Sequence, residues 1–206
     1  MDRVPSDVIY GLTLDGKGGM TPLAAGSEIP AVQPSWVHLD YGNPESARWL
    51  LQTPLLNDAA RESLLGQSNR PKLVRMGETV LLILRGINHN KDHRPEEMVA
   101  LRIYITPDFI LSSRRRSLLS EKDVFQQLVL GGGAISSADW LVEICAALTD
   151  RAGEFVEELH DQILELEEIV LMRELPANGR LARIRKQLIM IRRYLSPQRD
   201  LVARLA

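Results

Sequence analysis

The sequence predicts an α/β (α+β) protein: a mixed, largely antiparallel sheet sandwiched between helices, with a long antiparallel helical hairpin projecting at the C-terminal end. Three observations predict it. Short runs of strand-forming residues in the first half are punctuated by turn residues and fall into consecutive pairs. A helical stretch from about residue 45 to 67 interrupts those pairs. After Arg116 the apolar residues recur at helical spacing almost to the end. The expected division is a sheet domain over residues 1–136 and a helical hairpin over 137–206.

"VIYGLTL" (Val8 to Leu14), the glycine-rich "DGKGG" and a short run to Leu23 read as a first hairpin. "SWVHLDY" (Ser35 to Tyr41) alternates as a strand and breaks at "GNP". "ESARWLLQT" and "TPLLNDAARESLLG" then have helical spacing, with Thr53 before Pro54 as the expected N-cap of the second helix. "PKLVRM", a tight turn at Gly77 and Glu78, and "TVLLILRGIN" form a second hairpin. The polar loop "HNKDHRPEE" leads to "MVALRIYIT" and, across "PD", to "FILSSRR", a third antiparallel pair. Hairpins dominate, so the sheet should be mainly antiparallel, with the 45–67 stretch as its one long crossover.

"SLLSEKDVFQQLVL" reads as a helix, and "GGG" ends it. From Ser137 to about Met172 no proline intervenes, and Leu148, Phe155, Leu159, Ile163, Leu166 and Val170 form one helical stripe. At 1.5 Å per residue, about 35 residues reach roughly 50 Å, so this helix should project from the sheet. "PANG" turns the chain, and the last helix begins near Gly179. Its residues Leu181, Ile184, Leu188, Ile191 and Leu195 make a heptad-like seam, resumed by Val202 and Leu205. Pro197 should kink this helix or end its straight part near Tyr194.

Composition excludes several classes. A net charge of -2 with 45% hydrophobic and 25% charged residues describes an ordinary globular chain, not a globally basic nucleic-acid binder. The single cysteine, Cys145, permits no disulfide framework and no four-cysteine zinc site. The N-terminus lacks the apolar core of a secretion signal, and the longest apolar run, "VLLIL", is far short of a membrane span. Nucleotide-loop and hydrolase-elbow signatures are absent, so enzyme function has no support in the sequence.

From Arg180 onward eight basic residues face one acid, Asp200, while Glu157, Asp161, Glu165 and Glu168 make an acidic face on the preceding helix. Antiparallel packing with opposite-sign flanks accounts for both runs. Nucleic-acid binding by the basic face is disfavoured, since only Tyr194 could stack on a base.

The candidate metal ligands are His160, Glu157, Asp161 and Glu165. On a helix, Glu157 and His160 can approach one ion, and Asp161 and Glu165 continue the acidic surface. A di-iron site would need a second Glu-x-x-His pair, which is absent. A solvated histidine on an acidic face is the competing reading. His89 and His93 read as solvated loop residues, and His38, beside Trp36 and Asp40, as a satisfied packing histidine.

Taken together, "WVHLDYGNPESARWLLQTPLL", "ARESLL", "PKLVRMGETVLLILRGIN", "MVALRIYITPDFILSSRRR", "EELHDQILELEE" and "RKQLIMIRRYLSPQRDLVARL" resemble the cytoplasmic domain of the CorA-type divalent-cation transporters, closest to the zinc-transporting branch. The resemblance runs from about Val8 to Ala206. It implies a homopentameric membrane transporter whose N-terminal part forms a funnel on the cytoplasmic face of the inner membrane. It also implies that the final helix is the second of two hanging beside the sheet. The family's stalk helix, two membrane spans and Gly-Met-Asn signature are not among these 206 residues. The chain therefore reads as a soluble piece, expected to be monomeric or weakly associated on its own.

The expected function is a regulatory, metal-sensing domain that couples divalent-cation binding to a membrane pore. Zinc or another divalent cation is the transported or regulatory ion, no cofactor is expected, the partners are identical subunits and the membrane, and nucleic acid is not a partner. The alternative is a stand-alone interaction module that docks a partner through its helical hairpin.

Overall fold

The computed structural model describes residues 3–66, 68, 70–172 and 179–205. The chain begins with β1 (Tyr10–Leu14) and β2 (Met20–Pro22), then β3 (Ser35–Asp40), α1 (Pro44–Gln52) and α2 (Asp58–Leu65). Four strands follow: β4 (Lys72–Met76), β5 (Thr79–Gly86), β6 (Val99–Ile105) and β7 (Phe109–Arg114). Three helices complete it, α3 (Leu119–Val129), α4 (Ser137–Leu171) and α5 (Arg180–Ala203).

The three expected hairpins are the antiparallel pairs β1–β2, β4–β5 and β6–β7. They assemble into one sheet in the order β2-β1-β3-β7-β6-β5-β4. Its one parallel pair is β3–β7, in which Trp36 lies opposite Ile110 and His38 opposite Ser112. That pairing is parallel because the crossover begun by α1 and α2 returns the chain, by way of the three antiparallel strands β4, β5 and β6, to the flank of β3.

Alternation along each strand gives the sheet two apolar faces. Trp36, Leu82, Leu84, Leu101, Ile103 and Ile110 pack under Val124 and Leu128 of α3 and Trp140, Ile144 and Leu148 of α4. Val37, Leu39, Leu81 and Leu111 face Leu50 of α1 and Ala60 and Leu64 of α2. The sheet is thus sandwiched between helices, as its strand pattern predicts.

The second helix starts later than expected. Thr53 closes α1, its backbone N–H bonding to the carbonyl of Trp49, and Asn57 is the N-cap of α2, its side chain accepting from the Ala60 N–H at 2.8 Å. Asn57 displaces Thr53 because "TPLL" turns before the helical residues begin, and the Thr53 hydroxyl accepts from the Leu55 N–H within that turn.

The glycine turn after β1 packs against the glycine linker between α3 and α4, with the Gly133 N–H donating to the Gly18 carbonyl at 2.8 Å. Gly18 has φ +98°, and a Cβ there would lie 2.9 Å from the Gly131 oxygen and 3.0 Å from that of Gly133. Both conformation and space require glycine. Gly18→Ala is expected to cost about 1–3 kcal/mol. An unchanged thermal midpoint for that variant would show that the two turns do not pack this way.

Beyond Leu148, α4 buries Ala152, Phe155, Leu159 and Leu166 against Ile184 and Ile191 of α5, with Ile87 and Met98 beneath. The predicted stripe holds except at Val170, which is exposed. The α5 seam is narrower than expected: Ile184 and Ile191 are buried, but Leu181 is 65% and Leu188 41% exposed. Of the "PANG" turn, only Gly179 is among the described residues; it caps α5 in a left-handed conformation.

Helix α5 also runs through Pro197 without a break and does not simply project. Its last turns reach the sheet, where β4 begins opposite Ile83 and leaves the Arg85 backbone beyond its end. The Gln198 amide fills that gap, accepting from the Arg85 N–H at 2.6 Å and donating to the Arg85 carbonyl at 3.2 Å. Arg75 holds the end of the helix through the carbonyls of Arg204 and Leu205. Backbone groups left unpaired beside a strand need such partners, which explains why this end of the hairpin docks.

Candidate functional site

Glu157, His160, Asp161 and Glu165 all lie on the exposed side of α4, opposite the Phe155, Leu159 and Leu166 stripe. The spacing that places them there is helical: three residues from Glu157 to His160, four from Glu157 to Asp161 and four from Asp161 to Glu165. Glu165 is engaged by Arg180 of α5. Among the described residues, no three His, Cys, Asp or Glu side chains gather closely enough to hold a metal ion. The face therefore offers adjacent exposed candidate side chains from one helix, with no further candidate gathered beside them from another element among the described residues.

The expected charge complementarity between α4 and α5 is sparse at atomic level. Among the described residues, Glu165–Arg180 is the one ion pair joining the two helices. The remaining basic residues of α5 point largely to solvent, where ion pairs contribute little, and the helices are held by their apolar stripe. At the far end of that stripe an apolar groove of about 460 Å³ opens between Ile163, Leu166, Val170, Leu171 and Leu181.

His93 approaches Glu97 at 3.4 Å, and His89 is exposed. His38 is the buried histidine, and its reading as a satisfied packing residue holds. Its Nδ1 is 2.7 Å from Ser112 Oγ, which also accepts from Trp36 Nε1 at 2.7 Å. Its Nε2 lies 2.6 Å from Glu121 Oε2, and Arg114 Nε donates to Glu121 Oε1 at 2.5 Å. Tyr10 stacks on the imidazole with 5.4 Å between ring centroids.

Burial by itself would raise the Glu121 carboxyl, but His38 and Arg114 outweigh it and hold the group below the ordinary glutamate value. Burial, followed by the Glu121 carboxylate, pushes the Tyr10 phenol up.

Ser112, His38 and Glu121 have the order of a nucleophile, base and orienting acid. Their burial denies that chemistry, for Ser112 and His38 are 0% and Glu121 1% exposed, so no substrate reaches the hydroxyl. The network instead ties β3, β7 and α3 together. Glu121 was not singled out in the sequence. Alternation in "ILSSRR" would place Ser112 and Arg114 on the Ile110 face, but only the parallel register brings that face to His38.

The fold has close counterparts among known proteins. The zinc transport protein ZntB of Yersinia enterocolitica is 48% identical over 201 residues, a match taking in 98% of this chain and 62% of that protein. The chain thus spans less than two thirds of the length of the curated relatives it matches. The full-length CmaX protein superposes with a TM-score of 0.92 at 32% identity, covering 98% of this chain and 64% of CmaX. The ZntB cytoplasmic domain from Vibrio parahaemolyticus shares the fold, with a TM-score of 0.80 at 24% identity over 96% of this chain and 80% of that domain. The sequence pattern of the CorA-like Mg2+ transporter proteins matches residues 32–206, everything from β3 onward, and the chain belongs to that family of transporters.

Proposed function

We propose that this chain is the cytoplasmic, metal-sensing part of a zinc transporter and couples divalent-cation binding to the state of a membrane pore. The observation that carries the reading is the 48% identity, over 98% of the chain, to a protein named for zinc transport. No described helix is long and apolar enough to cross a membrane, so on this reading the pore belongs to other parts of the whole protein. Its assembly would be a homopentamer at the cytoplasmic face of the inner membrane.

The metal contact is assigned to the open face of α4. His160 supplies the neutral nitrogen that zinc prefers, with Glu157 and Asp161 beside it. Glu165 is the least available of the four, because it must leave Arg180 before it can ligate. Water or a neighbouring subunit completes the coordination. A cation that bridges two acidic faces favours the packing in which they approach, and this differential binding is what a sensor transmits.

Calorimetric titration with zinc at pH 7.5 tests the site. His160→Ala is expected to weaken binding by about tenfold or more, and equal affinity in the two proteins would remove His160. Zinc flux into vesicles carrying the full-length protein tests the wider reading, which fails if no zinc is moved.

A further inference from the structure

The parallel pair β3–β7 has connections that leave on opposite faces. β3 leads into α1, on the face of Val37 and Leu39, whereas β7 leads into α3, on the face of Trp36 and Ile110. Diverging connections open a crevice beyond the C-terminal ends of adjacent parallel strands, the place where α/β sheets bind ligands.

That crevice exists here as a cavity of about 510 Å³, within the range of about 300–1,000 Å³ common for small-molecule sites. Tyr41, just past β3, and Arg115 and Arg116, just past β7, form one side of it, and Arg85 of β5 and Glu97, ahead of β6, form the other. Its polar lining is dominated by three guanidiniums facing one carboxylate.

Arg85 is 7% exposed, donates through Nη2 to the Met98 carbonyl and lies over the Tyr194 ring at 4.6 Å. Its Nε–H is buried and has no acceptor among the described residues. No carboxylate forms an ion pair with Arg85, Arg115 or Arg116 among the described residues, and Glu97 is drawn to His93 instead. Asp40, the other nearby acid, accepts the Gly42 N–H at 2.8 Å. Arg115 lies along Gly42, close enough that a Cβ there would be 3.2 Å from its Cγ.

A buried guanidinium such as that of Arg85 is ordinarily matched by a carboxylate or phosphate, because its donors otherwise go unmet in a low-dielectric site. A flat carboxylate is served by one guanidinium fork. Three guanidiniums, two arriving from the end of β7 and one from β5, suit a tetrahedral oxyanion, whose acceptors diverge. The volume exceeds what inorganic phosphate alone would fill.

We propose that the crevice at the β3–β7 switch point binds a small soluble phosphorylated anion, held by Arg85, Arg115 and Arg116. This assignment rests on the geometry of the sheet and is independent of the zinc reading.

The test uses inorganic phosphate and pyrophosphate as probes, in calorimetry and thermal unfolding, against sodium chloride at equal ionic strength. Wild type is expected to bind pyrophosphate more tightly than phosphate and to unfold at higher temperature with either. Arg115→Ala/Arg116→Ala removes two exposed side chains, leaves the ligand-free unfolding midpoint in place, and is expected to weaken pyrophosphate binding by about tenfold or more. Arg85→Lys keeps the charge but loses the fork, and should weaken it by about fivefold. Arg183→Ala/Arg185→Ala, the same charge removed from the exposed face of α5, should bind as wild type does. No binding by wild type, undiminished binding by the 115/116 variant, or equal loss in both double variants would overturn the proposal. So would binding of phosphatidate-containing vesicles through Arg115 and Arg116 without binding of the soluble probes.

Discussion

Glu121→Ala is expected to cost about 3–5 kcal/mol of folding stability at pH 7, because it breaks a buried charge network while leaving the other members in place. Arg114 would lose the carboxylate its Nε reaches at 2.5 Å, and His38 Nε2 would face the space left by the missing acid. Glu121→Gln retains the volume and one acceptor oxygen, so it should cost less. Urea unfolding measures both. A loss under about 1 kcal/mol for the alanine variant would put this buried network in the class of exposed ion pairs.

The pH dependence follows from the same geometry. His38 and Arg114, acting against burial, hold the Glu121 carboxyl below its ordinary value of 4.5. A depressed carboxyl stabilises the fold at pH above its unfolded value, and that contribution disappears as pH falls through the lower folded value. Wild type should therefore lose stability on acidification below the ordinary glutamate range more steeply than Glu121→Ala, and parallel curves for the two would contradict the assignment.

Trp140→Ala is expected to cost a similar amount, about 3–5 kcal/mol. The indole is fully buried and packs against Trp36 with 5.1 Å between ring centroids, and with Ile144 and Leu148 it fastens the first turns of α4 to the sheet. Its Nε1–H has no acceptor among the described residues, so the contribution is packing and not hydrogen bonding. Trp140→Phe keeps an aromatic ring, removes that donor and should cost much less than alanine. Equal losses for the two substitutions in urea unfolding would show that the indole nitrogen matters in a way its surroundings do not explain.

Anchoring would also matter for the proposed sensor role. One helix, α4, carries Trp140 in the sheet core and His160 on the outward face of the hairpin. On the proposed sensor role, a cation held near His160 would act on an element fixed at its other end, where a change in packing could be passed to the sheet as a shift of a rigid body.

Much of this architecture was legible in the residues themselves. Strand alternation, the turn residues between paired strands and the unbroken stripe from Leu148 to Leu166 are local patterns, repeating at the period of the element that contains them. They report which side of a strand or helix is apolar. They do not report which other element that side will meet. The parallel pairing of β3 with β7, and with it the contact of His38 with Ser112 and then Glu121, was decided by tertiary structure. So were the docking of Gln198 on the Arg85 backbone and the crevice that gathers Arg85, Arg115 and Arg116. Even Asn57 won the cap of α2 from Thr53 only because the intervening turn was chosen by the path of the chain. The physical reason is common to all of them: apolar burial needs only a repeated pattern, but a buried polar contact depends on one partner at one distance, and residues far apart in sequence leave no periodic trace of that partnership.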